Sequence, residues 1–169
     1  MKKSIIIIAL ALIASCSSLF AQTYEVPKNY VLNAKEDYPK YENDVLKTID
    51  WLEQTPWSVE TEKRDEAKAF CLKWIEGTPA FSIEINAEIL KLSKNNIELL
   101  GSYMYGYTKY YLLNKTAFDV TQAKIAAVRG VITKYTNETG HKKNAEVEKV
   151  IKMDKEGTLE TWVKTAFSK

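Results

Sequence analysis

The sequence predicts an all-α fold, an irregular bundle of about six to seven helices in antiparallel pairs. Three observations carry this. After residue 36, apolar side chains recur at three- and four-residue steps, the spacing of one helix face. Cap residues and Gly or Pro stops punctuate those stretches. Only residues 81–85 alternate apolar with polar, so one short extended segment is expected, packed along helices because a lone strand cannot complete its hydrogen bonds.

Residues 1–21 read as a signal peptide: Lys2 and Lys3, then an uncharged apolar run, then small residues ending at Ala21. The apolar run is too short to span a bilayer. Two processing readings stand. Ile13-Ala14-Ser15-Cys16 resembles a lipobox, which would place a lipid on Cys16 and tie the chain to a membrane, the outer membrane being the expected address. Cleavage after Ala21 is preferred, because the "LFAQ" ending resembles signal peptides common in Bacteroidota. Either way the chain is expected to be exported, periplasmic or secreted. The mass of the mature amino terminus separates the two.

Residues 22–36 form an extended lead-in, and residues 37–169 a single helical domain. The first helix places Tyr38, Tyr41, Val45, Ile49 and Leu52 on one face, with Asp37 as cap and Pro39 in the first turn. It ends in "WLEQTP". The second starts near Thr61, buries Ala67, Phe70, Cys71, Trp74 and Ile75, and ends in "WIEGTP", with Gly77 as a left-handed stop. The echo is a helix-stop device used twice: Thr-Pro drives the threonine out of the helix and removes a backbone donor. In an antiparallel hairpin the two tryptophans fall at opposite ends, roughly 15–20 Å apart at about 1.5 Å per residue, too far to clamp one ligand.

Asn86 caps a short helix reaching about Leu92, and Asn96 caps a tyrosine-rich helix over residues 97–114. Leu99, Leu100, Tyr103, Tyr107, Tyr110 and Tyr111 share its broad face, while Tyr105 and Leu112 point elsewhere, which makes this helix central. The next helix opens at Asp119 and Gln122. Its Ala123/Ala127/Gly130 side is expected against the tyrosine helix, with Ile125, Val128, Ile132 and Tyr135 opposite. Asn144 caps a helix carrying Val147, Val150 and Ile151, and Gly157 stops it. Thr158 caps the last, with Leu159, Trp162, Val163 and Phe167.

Loss of residues 1–21 removes Lys2 and Lys3 and leaves equal numbers of basic and acidic side chains. Nucleic acid is therefore not an expected partner. Signal-peptidase cleavage leaves Cys71 alone, so no internal disulfide forms, and it reads as a small buried hydrophobe. One histidine, His141, sits in a polar run after a helix stop, so a nucleophile–histidine pair or a zinc site is not expected. Phosphate-cradling loops and dinucleotide fingerprints are absent, and no metal or cofactor is expected. Catalytic residues remain unassigned. Any acidic pair can meet in three dimensions; Glu84 and Glu88, beside the extended segment, are one that could face a cleft, with solvated charge as the plainer reading.

Ten tyrosines and four tryptophans make surface recognition the leading function, for a protein, peptide or envelope component. Trp57, between Pro56 and the second helix, and Tyr105 are the candidate binding residues. A cell-wall or glycan-acting enzyme using acidic residues is the alternative, and a lipid-anchored structural envelope protein the third. A concave pocket with two or more carboxylates of raised pKa favours the enzyme; a convex surface with one exposed aromatic patch favours the binder. With "TIDWLEQTPWS", "LKWIEGTP" and the tyrosine helix, the chain resembles small secreted helical proteins of Bacteroidota. That resemblance implies an exported all-helical domain and no particular activity.

Overall fold

The structure is a computed structural model describing residues 24–168; the signal peptide and Cys16 lie outside the described residues. Seven α-helices follow a 3₁₀ turn over Lys35–Tyr41: α1 Glu42–Gln54, α2 Thr61–Gly77, α3 Ala87–Ser93, α4 Glu98–Leu113, α5 Val120–Asn137, α6 Ala145–Lys155 and α7 Leu159–Ala166. The fold is an all-α bundle. Residues 81–86 carry no helix. Within them Phe81 and Ile83 are half-buried, whereas Ile85 faces solvent.

The bundle has two apolar clusters. One gathers Val45, Ile49 and Leu52 of α1 with Phe70, Cys71 and Trp74 of α2 and Tyr105 of α4. The other gathers Leu99, Tyr103 and Tyr107 of α4 with α3, α5, α6 and α7. Helix α4 therefore lies between them, and Phe81, Ile83 and Met104 pack against both.

Glycines decide how α4 and α5 meet. A Cβ on Gly106 would stand 2.8 Å from the Ala126 carbonyl oxygen and 2.9 Å from the Ala127 Cα; one on Gly130 would stand 2.9 Å from the Ser102 oxygen. Position 102 opposes 130 while 106 opposes 126 and 127, so the helices run antiparallel in backbone contact. Ala123 and Ala127 are fully buried in the same seam. The expected small-residue side thus faces the tyrosine helix.

Both Thr-Pro stops work alike. Thr55 and Thr78 are extended, and each N–H donates to its own tryptophan, Trp51 (2.9 Å) and Trp74 (3.0 Å). Several start and stop assignments need correction. Asp37 does not cap a helix at residue 37: its carboxylate accepts from the Asn33 and Ala34 N–H groups and tightens a 3₁₀ turn that contains Pro39. Gly77 is not left-handed; its missing side chain admits the Tyr38 hydroxyl, which would lie 1.9 Å from a Cβ. Asn96 does not cap α4. Its amide exchanges hydrogen bonds with the Lys142 backbone (2.7 and 2.6 Å) and ties the α3–α4 turn to the α5–α6 connection. Thr158 stands at the α7 start, but its hydroxyl donates back to the Met153 carbonyl. Asn86, Asp119 and Asn144 cap as expected, and Gly157 has φ +72°.

The end of α1 collects two buried cations. The Arg64 guanidinium donates to the Leu52 (3.3 Å) and Thr55 (2.8 Å) carbonyls. The Lys134 ammonium donates to Leu52 (3.3 Å), Glu53 (3.4 Å) and Thr55 (2.7 Å). Both side chains are about 5% exposed. Glu138, equally buried, lies 3.5 Å from Lys134 and accepts the Trp57 N–H at 2.9 Å. Burial, then the repulsion of Arg64, pulls the Lys134 ammonium below the ordinary lysine range.

Two stability predictions follow from these contacts. Gly106→Ala forces the α4–α5 backbones apart and is expected to cost about 3 kcal/mol, read from the urea midpoint. Lys134→Ala strands Glu138 and the α1 carbonyls at about 3–5 kcal/mol. The double variant Lys134→Met/Glu138→Gln is expected to unfold at higher urea than Lys134→Ala.

Candidate functional site

Among the described residues every Tyr, Trp and Phe is buried or half-buried, so the aromatic content mostly builds the interior. Trp57 is half-buried against the α3–α7 cluster and its backbone is held by Glu138. Tyr105 is 6% exposed and belongs to the α1–α2 cluster, so it lies beneath the surface rather than on it. Burial pushes its phenol well above the ordinary tyrosine range. The two candidates from sequence are not brought together at a surface.

Two surface depressions place aromatic rings beside carboxylates instead. The first, about 440 Å³, lies where the start of the described chain crosses α1 and is lined by Tyr24, Glu25, Asp44, Lys47, Asp50, Trp51 and Gln54. Tyr24 and Trp51 stack at 5.0 Å with 26° between planes. The Tyr24 hydroxyl donates to Thr48 Oγ1 at 2.9 Å, which fixes the ring. The helical step from Thr48 to Trp51 places that anchor and the second ring on neighbouring turns of α1. Lys63 Nζ lies 5.6 Å from the Tyr24 ring centre and 5.1 Å from that of Trp51, so the pair already holds one cation over its rings. Asp50 also meets Lys109 at 2.7 Å.

The second, about 350 Å³, lies where α3 begins and α7 ends, lined by Glu84, Asn86, Ala87, Glu88, Trp162, Thr165 and Ala166. It does unite the acidic pair anticipated from sequence. Asn86 accepts from the Glu88 and Ile89 N–H groups and donates to the Ala166 carbonyl, which locks the two helix ends together. Glu84 accepts from Lys124 (2.9 Å), and Glu88 from Lys91 (2.8 Å). Trp162 was legible only as a core residue, because nothing in the sequence says that α7 ends beside Asn86.

Cys71 is fully buried, and its thiol is pushed up by that burial, so it is no nucleophile. His141 lies with Nδ1 2.5 Å from the Glu138 carbonyl oxygen and its ring on Tyr135. Among the described residues no three His, Cys, Asp or Glu side chains gather to hold a metal ion, and no helix is long and apolar enough to cross a membrane. Comparison with protein-family models, curated proteins and solved structures finds no match to this chain.

Burial raises the Tyr24 phenol to about 12, with the Asp44 and Glu25 carboxylates acting in the same direction and the Thr48 bond opposing. The folded chain therefore holds this proton more tightly than the unfolded chain. The resulting stability is complete below the ordinary tyrosine pKa of about 10 and is lost as pH rises through the folded value. Tyr103, Tyr105 and Cys71 act in the same sense. The urea midpoint is expected to fall between about pH 10 and 12, less steeply in Tyr24→Phe.

Proposed function

We propose that the protein is an exported helical recognition domain of the cell envelope, binding a protein or peptide partner through a lysine or arginine side chain. The amino-terminal features of the sequence support export. The Tyr24–Trp51 pair supports the binding role: two stacked rings offer π faces, and Glu25, Asp44 and Asp50 rim the depression with negative charge. Lys63, which comes from α2 and is not among the lining residues, supplies the internal precedent for a cation on these rings. Cation–π attraction of about 0.5–2 kcal/mol adds to the carboxylate field, and both act on the same incoming group.

The test is a titration of the mature protein with a lysine-rich peptide and with its fully acetylated form. The unmodified peptide is expected to bind with a dissociation constant on the order of 0.1–1 mM, weakening as salt rises. Trp51→Leu and Asp44→Asn are each expected to weaken it about tenfold, about 1.4 kcal/mol. Equal binding of the acetylated peptide would overturn this reading.

A further inference from the structure

The segment between α2 and α3 is held by its side chains and left free along its main chain. Thr78 before it and Asn86 at its end are extended. From Phe81 to Glu84 half-buried and exposed residues alternate, the two-residue period of a strand. Phe81 and Ile83 pack on both apolar clusters. Glu84 accepts from Lys124 at 2.9 Å, and Asn86 donates to the Ala166 carbonyl at 2.9 Å. These anchors fix the segment without using its backbone. Among the described residues, no N–H or C=O group from Phe81 to Ile85 makes an intramolecular hydrogen bond.

Backbone groups are obligatory donors and acceptors, and in an extended run they recur at about 3.3 Å per residue. Another extended backbone presents partners at that same spacing, which is how an open strand recruits a second one. Ser82 and Glu84 line a depression of about 320 Å³ to which Ile83 and Ile85 do not contribute. Residues two apart in a strand direct their main-chain groups to the same edge, so positions 82 and 84 form the edge beside this depression. Phe81, Tyr107, Phe118 and Val120 supply its apolar lining, with Val120 half exposed. Its charged lining, Glu84 and Lys124, is already paired.

We infer that the edge at Ser82 and Glu84 is a docking site for an extended, uncharged peptide segment, which adds to it as a second strand and lays an aliphatic side chain against Phe118 and Val120. Main-chain pairing supplies the affinity, and the apolar lining sets a preference for β-branched side chains. The anchors hold the edge extended beforehand, so little ordering opposes docking. This assignment does not rest on the cation-binding reading: the two depressions share no lining residue, and the ligand here carries no charge.

The experiment uses the full mature chain labelled with ¹⁵N. The probe is the capped peptide Ac-Ser-Val-Thr-Val-Ser-NH₂, and the control is the same peptide N-methylated at its three central residues, which cannot donate from them. In the free protein the Ser82 and Glu84 amides are expected to exchange with solvent without protection. The probe is expected to shift both signals saturably, with a dissociation constant on the order of 1 mM. At about four times that concentration their exchange slows about fivefold. The N-methylated peptide is expected to do neither. Ser82→Pro deletes one donor at an exposed position and keeps the chain extended. It is expected to abolish binding with little change in the urea midpoint, while Trp51→Leu leaves binding unchanged. No saturable shift at Ser82 and Glu84, equal binding of the N-methylated peptide, or binding that survives Ser82→Pro would overturn the inference. Slow exchange at these amides in the free protein, with a dimer in sedimentation, would assign the edge to a second copy and overturn it as well.

Discussion

The carbonyl groups at the end of α1 set the condition that the rest of the fold meets. A helix leaves its last carbonyls without intrahelical donors, and the helix dipole makes that end negative. Here the Thr55-Pro56 stop puts that end inside the molecule, where unpaired carbonyls are costly. Arg64 from α2 and Lys134 from α5 supply the donors. Two buried cations need compensating charge in turn. Glu98 at the start of α4 lies 4.0 Å from Arg64, and Glu138 beyond α5 lies 3.5 Å from Lys134. One helix stop therefore fixes the positions of α1, α2, α4 and α5 and pins the Trp57 backbone.

The second constraint is steric. With no side chains at Gly106 and Gly130, α4 and α5 come into backbone contact. That closeness lets tyrosines at 103 and 107 fill the space beside the seam, and it leaves Tyr105 on the opposite side for the α1–α2 cluster. Glycine costs a helix roughly 1 kcal/mol relative to alanine. At these two positions alanine would collide with backbone, so the intrinsic penalty is offset by packing that no other residue permits.

Helix order, the two Thr-Pro stops, three asparagine or aspartate caps and the small-residue seam were legible because each depends on residues close in sequence. What was illegible depends on distant partners. Asn96 has the chemistry of a cap, and only Lys142 beside it explains why it is not one. Gly77 reads as a stop until Tyr38 is seen to occupy the space of its side chain. Arg64 and Lys134 look like solvated charges in a helical pattern; their burial follows from where α1 ends. The candidate sites show the same division. Glu84 and Glu88 were visible as a pair, but Trp162 and Tyr24 join a depression only through the tertiary fold. Tyr105 points off the main tyrosine face, and that second side is buried too, against the α1–α2 cluster.

The two depressions show why residue type alone does not assign a ligand. Each places a tryptophan beside glutamate or aspartate, and in sequence neither differs from a packed ring near a solvated charge. They separate on where the lysines go. At the α3–α7 depression Glu84 meets Lys124 and Glu88 meets Lys91. At Tyr24 and Trp51 three carboxylates face Lys47 on the rim, with Lys109 drawn to Asp50 and Glu53. Lys63 lies over the rings rather than on these acids, and it forms an ion pair with Glu60 at 3.3 Å. Because a cation responds to the local field, the pairing of surface lysines with carboxylates decides which aromatic ring is left to attract one.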